Sequence, residues 1–398
     1  MESHDAVIVA AARTPIGTAF KGSLVGVDAF VLATLAVREA VRRAGVEPQL
    51  VDDVVLGESL YGGGDIARYA ALEAGLVNAP GLAQNRHCAS GLAAVQTAAA
   101  SIRAGMDRLV VAGGVQSAST RPKMAWRPGG GQEWEEDWIP ASHRDSADAP
   151  NRDMAICVGW NAAVRAGVSR AEMDAWALRS HQRAVAAVDG GAFSEETFPV
   201  EVVRGDGTPS TFGLDEHPRR DTTLEKLAAL KPLHPEIEGF SITAGNSSGI
   251  NDAAGVVVVA DNSLAEGQGL EPLAVIRGWA SAGVPPADTG LAPVVAIPKA
   301  LQRADLAIDD IDLWEVNEAF ASVAVATTKL LGLDEERVNV LGSGCSLGHP
   351  VAMTGARMVM SLVFELRRLG GGKGVASMCA GGGMGTALVL DVPAPRPA

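Results

Sequence analysis

Cys88 stands in the run Asn85-Arg86-His87-Cys88-Ala89-Ser90-Gly91, and a second thiol, Cys379, stands in Met378-Cys379-Ala380-Gly381-Gly382-Gly383. Between them lie Asn317-Glu318-Ala319-Phe320 and Gly348-His349-Pro350. Two thiols, an imidazole and an amide, each set among small residues, are the groups needed to carry an acyl group on sulfur. One thiolate attacks the carbonyl, an imidazole takes its proton, and N–H donors hold the oxyanion. A second thiol can serve as a general acid/base matched in pKa to another sulfur.

Each candidate also has a plain structural reading. The run from Cys88 reads as a helix start, where unpaired N–H groups and the dipole favour thiolate and lower a pKa of about 8.5. The alternative is a buried structural cysteine. His349 sits on a turn before an expected helix, as a base or an N–H donor. His87 is its rival, but neighbouring side chains in an extended turn point apart, which favours His349. Asn317 follows an apolar strand, where α/β folds collect site residues; it is equally a candidate helix cap. Cys379 ends a strand and enters glycines that let N–H groups converge on an anion.

The elements that must position these groups alternate along the chain. Residues 7–11, 51–56, 109–112, 256–260, 273–276, 313–316, 338–341 and 387–390 read as strands, several continuously apolar and so buried on both faces. Residues 27–44, 90–104, 170–188, 298–304, 319–331 and 354–369 read as helices. The alternation indicates α/β layers. A weak repeat of turn, helix, strand and glycines runs from Cys88 to Gly114 and again from His349 to Gly383. It predicts two similar halves with the site at their junction. Residues 117–248 read as a lid leaving the first half. The first part of it is rich in Pro, Gly and acidic residues and carries Trp126, Trp134 and Trp138. The expected division is 1–116 and 249–270 for the first half, 117–248 for the lid, and 271–398 for the second half.

Bulk properties narrow the class. The 398 residues are 47% hydrophobic and 20% charged, which describes a globular chain. A net charge of −14 argues against a nucleic-acid or anionic-membrane surface. Four cysteines without CxxC spacing make neither a disulfide framework nor a zinc site. No segment reads as a membrane span, signal or presequence, so a cytoplasmic location is expected.

The motifs together resemble the thiolases of the acetyl-CoA C-acyltransferase group. The resemblance runs through residues 12–17, 85–91, 243–252, 317–320, 348–350 and 379–385. It implies an α/β fold of two similar halves in a layered α-β-α-β-α arrangement with an inserted lid. It further implies Cys88 as nucleophile, His349 as its base, and Cys379 as the acid/base. Asn317 (through a water) and His349 would form one oxyanion hole, and the N–H groups of Cys88 and Gly381 the other. Ser248 would contact pantetheine and Arg219 the nucleotide end of coenzyme A. No tightly bound cofactor is expected; coenzyme A is a co-substrate, and the chain should form a homodimer or homotetramer.

Arg86, Ala89 and Ser90 look more like the degradative 3-ketoacyl-CoA type than the biosynthetic acetoacetyl-CoA type. A decarboxylating condensing enzyme is a rival on the same fold, but it would lack Cys379; a silent partner subunit would not need the full set. The chain departs from the family at Ala352, at Gly342-Ser343-Gly344-Cys345-Ser346 and at Cys157-Val158-Gly159-Trp160. Cys157 and Cys345 read as structural. The lid tryptophans are expected to face the acyl end of the site or a neighbouring subunit.

Overall fold

The computed structural model describes residues 5–59, 64–203 and 205–395. In chain order the strands are β1 (Ala6–Arg13), β2 (Gly17–Thr18), β3 (Asp53–Gly57), β4 (Leu82–Gln84), β5 (Leu109–Gln116), β6 (Val200–Val203), β7 (Pro209–Phe212), β8 (Asn251–Asp261), β9 (Ala274–Gly283), β10 (Leu313–Val316), β11 (Gly372–Ala380) and β12 (Met384–Val392). The α-helices are α1 (Ala29–Ala44), α2 (Ile66–Glu73), α3 (Ser90–Arg103), α4 (Asn161–Ala166), α5 (Arg170–Asp189), α6 (Leu224–Ala228), α7 (Asn262–Gly267), α8 (Ala292–Ala304), α9 (Ala321–Leu331), α10 (Gly344–Leu347) and α11 (Thr354–Arg368).

The main sheet runs β10-β11-β12-β9-β1-β8-β5-β3-β4. Among the described residues its halves pair where Val7 faces Val275 and Ile8 faces Ala274. β1, β5 and β8 are buried along their whole length, as their unbroken apolar runs require. β8 (Asn251–Asp261) returns from the lid to pair with β1 and β5 of the first half.

Helices fill three layers around this sheet. α1 and α2 cover the first half, and α8 and α9 the second. α3 and α11 lie between the halves and share one apolar core with strands of both. Glycine sets their close approach: a Cβ on Gly91 would lie 2.5 Å from the Ala352 carbonyl oxygen, and one on Gly355 2.3 Å from the Leu92 nitrogen. This is the expected layered α/β arrangement.

Three sequence expectations need correction. Residues 338–341 form no strand: Val338 makes one bridge to Trp314, then Asn339 turns with φ +52°. The Asn339 side chain replaces a backbone neighbour, accepting from Val316 N–H and donating to Val316 C=O, each at 2.8 Å. The helix expected at 298–304 begins six residues earlier, with Pro298 inside it. Helix α3 begins at Ser90 with Ala89 as its cap, so Cys88 lies on the turn before it.

The lid opens with an irregular stretch in which Trp126 and Glu135 exchange backbone hydrogen bonds. Trp126 stacks on Trp138 at 4.9 Å, and Arg127 lies over Trp134. A π-helical turn (Ala155–Trp160) leads into α4, and a capping box at Ser169 and Glu172 starts α5. No helix of the described residues is long and apolar enough to cross a membrane.

Candidate active site

Cys88 is placed by its own turn. His87 adopts φ +47°, Ser90 Oγ donates to the His87 carbonyl at 2.7 Å, and Arg86 N–H donates to Ser90 Oγ at 2.8 Å. The turn from the first half thereby meets the glycine turn of the second. The backbone N–H groups of Gly381 and of Cys88 itself both point at the Cys88 sulfur. These are the two donors expected to share one oxyanion hole.

The expectation of a lowered Cys88 pKa is overturned. Cys88 keeps some exposed area, but its sulfur is deep, and desolvation pushes the thiol above its ordinary value. The two N–H groups oppose this without cancelling it. The thiol rests protonated, so a base must take its proton during attack.

His349 follows Gly348, whose φ is +95°. A Cβ on Gly348 would lie 2.4 Å from Asn251 Oδ1, and that same oxygen accepts the His349 N–H at 3.0 Å. The buried imidazole is pinned from behind. Its Nδ1 lies 2.6 Å from Thr354 Oγ1, and Thr354 donates to the Pro350 carbonyl at 3.0 Å. The hydroxyl proton is thus committed, so Nδ1 donates and Nε2 is left as the base. Burial, with the Arg357 cation nearby, drops the His349 pKa to about 3. The ring rests neutral.

Asn317 extends from the end of β10, its N–H on the Ser377 carbonyl at 3.0 Å. It does not cap α9, which starts at Ala321 with Phe320 as cap. Its Nδ2 lies 3.5 Å from His349 Nε2, and its buried Oδ1 takes no hydrogen bond within the described residues. Next to it Glu318 is fully buried and accepts from Trp176 Nε1 (2.8 Å), Ser180 Oγ (2.6 Å), Asn339 Nδ2 (2.8 Å) and Cys345 N–H (3.1 Å). Glu318 is a strut that fixes the Asn317 loop. Below it, buried Arg357 pairs with Glu315 and with Ser343 Oγ.

Cys379 lies near the end of β11, facing Gly385 of β12, and is buried. Burial first, then the charge of a Cys88 thiolate, pushes its thiol upward. The two sulfurs therefore feel each other across the junction of the halves. Cys157 is a third sulfur at this place. Its pKa is pushed up to about 12 by burial and then by Asp153, with a further contribution from Cys88. Its Sγ is 3.8 Å from Met154 Sδ. Cys345, by contrast, is enclosed against the Glu318 carbonyl.

His87 is not extended but left-handed, with φ +47°. The left-handed turn brings the His87 ring to 3.8 Å from where a Gly381 Cβ would stand, the same distance as Met154 Sδ. The His87 imidazole thus borders the Gly381 turn. Ser248 is tied to the Asn317 loop through its N–H on the Ala319 carbonyl at 2.9 Å. Arg219 is exposed; its N–H donates to His181 Nδ1 at 3.1 Å, and no hydrogen bond among the described residues links it to the central cluster. Its neighbour Arg220 is held by Asp189 instead.

Thr354, Asn251, Asn339 and Met154 were not singled out from the sequence. Asn251 lies inside a noted motif and Thr354 only five residues after His349, whereas Asn339 and Met154 reach the site through segments distant in sequence.

The comparisons agree with this geometry. The model described as "Thiolase, N-terminal domain" matches residues 6–263, and "Thiolase, C-terminal domain" matches residues 270–392. A β-ketoadipyl-CoA thiolase of Pseudomonas aeruginosa is 43% identical over 98% of this chain and 99% of its own. An acetyl-CoA acetyltransferase of the same organism is 40% identical over 97% and 99%. Human mitochondrial 3-ketoacyl-CoA thiolase superposes with a TM-score of 0.90 at 36% identity, covering 99% of this chain and 100% of its own. The Bacillus anthracis acetyl-CoA acetyltransferase gives 0.89 at 41%, covering 98% and 99%. With two thiols, an imidazole and an amide gathered where the halves meet, this chain belongs to the thiolase family of acyltransferases.

Proposed function

We propose that this thiolase works in the degradative direction, cleaving 3-ketoacyl-CoA with coenzyme A to acetyl-CoA and a shortened acyl-CoA, in fatty-acid or related β-oxidation. The observation that carries the reading is the second thiol beside the nucleophile: Cys379 feels the charge of Cys88, and the Gly381 N–H faces the Cys88 sulfur, so carbon–carbon cleavage has a proton carrier and an oxyanion donor at one place.

The steps balance with this chain's own groups. The Cys88 proton passes to His349 Nε2 as sulfur attacks the keto carbon, and the new oxyanion lies between the Cys88 and Gly381 N–H groups. The bond between the keto carbon and its α-carbon breaks. The α-carbon takes the Cys379 proton and leaves as acetyl-CoA, its thioester oxygen held by His349 and by a water on Asn317. Coenzyme A then gives its thiol proton to the Cys379 thiolate and attacks the acyl group. Cys88 leaves as thiolate and recovers its proton from His349. Ser248 would hold pantetheine and Arg219 the nucleotide end. The working unit is a cytoplasmic homo-oligomer.

The names of the acetyl-CoA acetyltransferase relatives favour a second reading, the condensation of two acetyl-CoA. Measuring cleavage of 3-ketoacyl-CoA across chain lengths beside acetyl-CoA condensation tests both. Cleavage confined to acetoacetyl-CoA, with condensation at comparable kcat/KM, would sink the degradative reading.

A further inference from the structure

The π-helical turn (Ala155–Trp160) and the residue before it carry two sulfurs to the Gly381 turn. Met154 Sδ stands 3.8 Å from where a Gly381 Cβ would be, and Cys157 Sγ lies 3.8 Å from Met154 Sδ. The Gly381 N–H in turn points at the Cys88 sulfur. Such π turns are rare and frequent at functional sites. This one is held from two sides. On the first, a Cβ on Gly159 would lie 2.8 Å from the Phe320 ring, and Ser322 Oγ donates to the Gly159 carbonyl at 2.8 Å.

The second side is held through Asp153. Its Oδ1 accepts the N–H groups of Ala155 (3.1 Å) and Ile156 (3.3 Å), and its carbonyl accepts that of Cys157 (3.2 Å). Its Oδ2 lies 2.8 Å from His234 Nε2, while His234 Nδ1 lies 2.8 Å from Glu236 Oε1. Both ring nitrogens face carboxylate oxygens, which only accept, so both donate and the ring is an imidazolium. The hydrogen bond to Glu236 and the charge of Asp153 raise its pKa accordingly. Among the described residues these two carboxylates are the charged groups that act on it. His234 also stands edge-on to Phe240, 4.9 Å between centroids, and Phe240 lies 5.1 Å from Trp160 at the end of the turn. Leu233 N–H closes the loop that carries His234 and Phe240, donating to the Ile242 carbonyl at 2.9 Å.

We propose that His234 is a positioning residue for acylation of Cys88: as an imidazolium it fixes Asp153, Asp153 fixes the π turn, and the turn holds Met154 at the Gly381 turn. The proposal deepens the proposed function and rests on Cys88 as acyl carrier, whichever direction the reaction takes. The contact is complete while the ring is charged. As pH rises through the His234 pKa the ring loses one of its two donors, a lone pair then faces a carboxylate, and the turn loosens.

The test measures acyl-enzyme formation from acetyl-CoA by rapid-quench mass spectrometry between about pH 6 and pH 9, in wild type, His234→Phe and Asp153→Asn. Taking the ratio of wild type to variant cancels the pH dependence of the thiol chemistry itself. His234→Phe keeps an aromatic ring on Phe240 but neither donor. Its ratio should be roughly tenfold near pH 6, the scale of a slightly misplaced reacting group, and should shrink severalfold by about pH 9. Asp153→Asn keeps an oxygen for Ala155 and Ile156 and offers an N–H to a neutral ring. It should be slower than wild type at the acid end and equal or faster at the alkaline end. Ratios that do not change with pH would mean that the pair only supports the fold, and would overturn the proposal. So would a His234→Phe enzyme that matches wild type throughout. A wild-type enzyme acylated elsewhere than on Cys88 would overturn the assignment of the nucleophile, and this proposal with it.

Discussion

Thr354 Oγ1 lies 2.6 Å from Nδ1 of His349, and its own proton is spent on the Pro350 carbonyl. One hydroxyl thereby decides which nitrogen of the catalytic imidazole is free. Thr354→Val removes the acceptor, leaves Nδ1–H buried without a partner, and lets the ring turn. The expected result is a fall in kcat of roughly tenfold to a hundredfold, part of what a positioned base contributes. Thr354→Ser should recover most of it. If Val and Ser variants have the same kcat and pH–rate profile, the contact has no part in catalysis.

The two thiols should separate under substitution. Cys88→Ala is expected to abolish acyl-enzyme formation, and mass spectrometry of wild type mixed with acyl-CoA should find the acyl group on Cys88. Cys379→Ser should still acquire the acyl group but turn over about a hundredfold more slowly, since a hydroxyl is a poor proton carrier near neutrality. Acylation on Cys379 would reverse the assignment.

Gly381 and Gly383 answer different needs. A Cβ on Gly381 would meet His87 and Met154 at an ordinary contact distance of 3.8 Å, so Gly381→Ala should fold with nearly unchanged Tm and lose activity, because its methyl group stands beside the N–H that faces the Cys88 sulfur. Gly383 has φ +78°, and its Cβ would lie 2.1 Å from the Val284 carbonyl oxygen. Gly383→Ala should cost more than about 1 kcal/mol and lower Tm by several degrees. Equal Tm values for the two variants would contradict this division.

Acid should weaken the fold through its buried imidazoles. Desolvation lowers His181 and His217 to about 4 and His349 to about 3. For each, the unfolded chain binds a proton below about pH 6.5 that the folded chain refuses, so stability falls as pH drops from there toward 4. Arg219 disfavours a charge on both lid histidines, Lys21 adds to this at His217, and Asp221 opposes it at His181. Each pKa unit is worth about 1.4 kcal/mol. Tm measured from pH 7 to 4.5 should decline, and His217→Gln should flatten the slope. A Tm that rises over this interval would refute the account.

Two exposed surfaces bear on the proposed homo-oligomer. β4 (Leu82–Gln84) pairs with β3 alone and leaves Leu82 exposed at the sheet edge, next to the Cys88 turn. Trp126 and Trp134 are also exposed on the lid. Light scattering should give a mass at least twice 40.9 kDa. Trp126→Ala and Trp134→Ala should weaken association between dimers if the lid is an interface. A monomer at micromolar concentration would refute assembly, and a change in chain-length preference would move the tryptophans to the acyl pocket instead.

The layered α/β fold was legible in the residue pattern, because unbroken apolar strands such as residues 256–260 can only be buried on both faces. The pattern also marked Cys88, Asn317, His349 and Cys379, since chemistry on sulfur leaves small residues and turns around its reacting groups. Tertiary structure alone decided the rest. The Cys88 thiol rises rather than falls, because desolvation by two packed halves outweighs two N–H donors. Residues 338–341 turn rather than extend, because the Asn339 side chain pairs with the Val316 backbone at the end of β10. His87 borders the Gly381 turn because a single left-handed residue redirects its ring onto a glycine nearly three hundred positions away. Local pattern reports what each segment prefers on its own; solvation, partner choice and the direction of a side chain depend on what the other half of the chain places beside it.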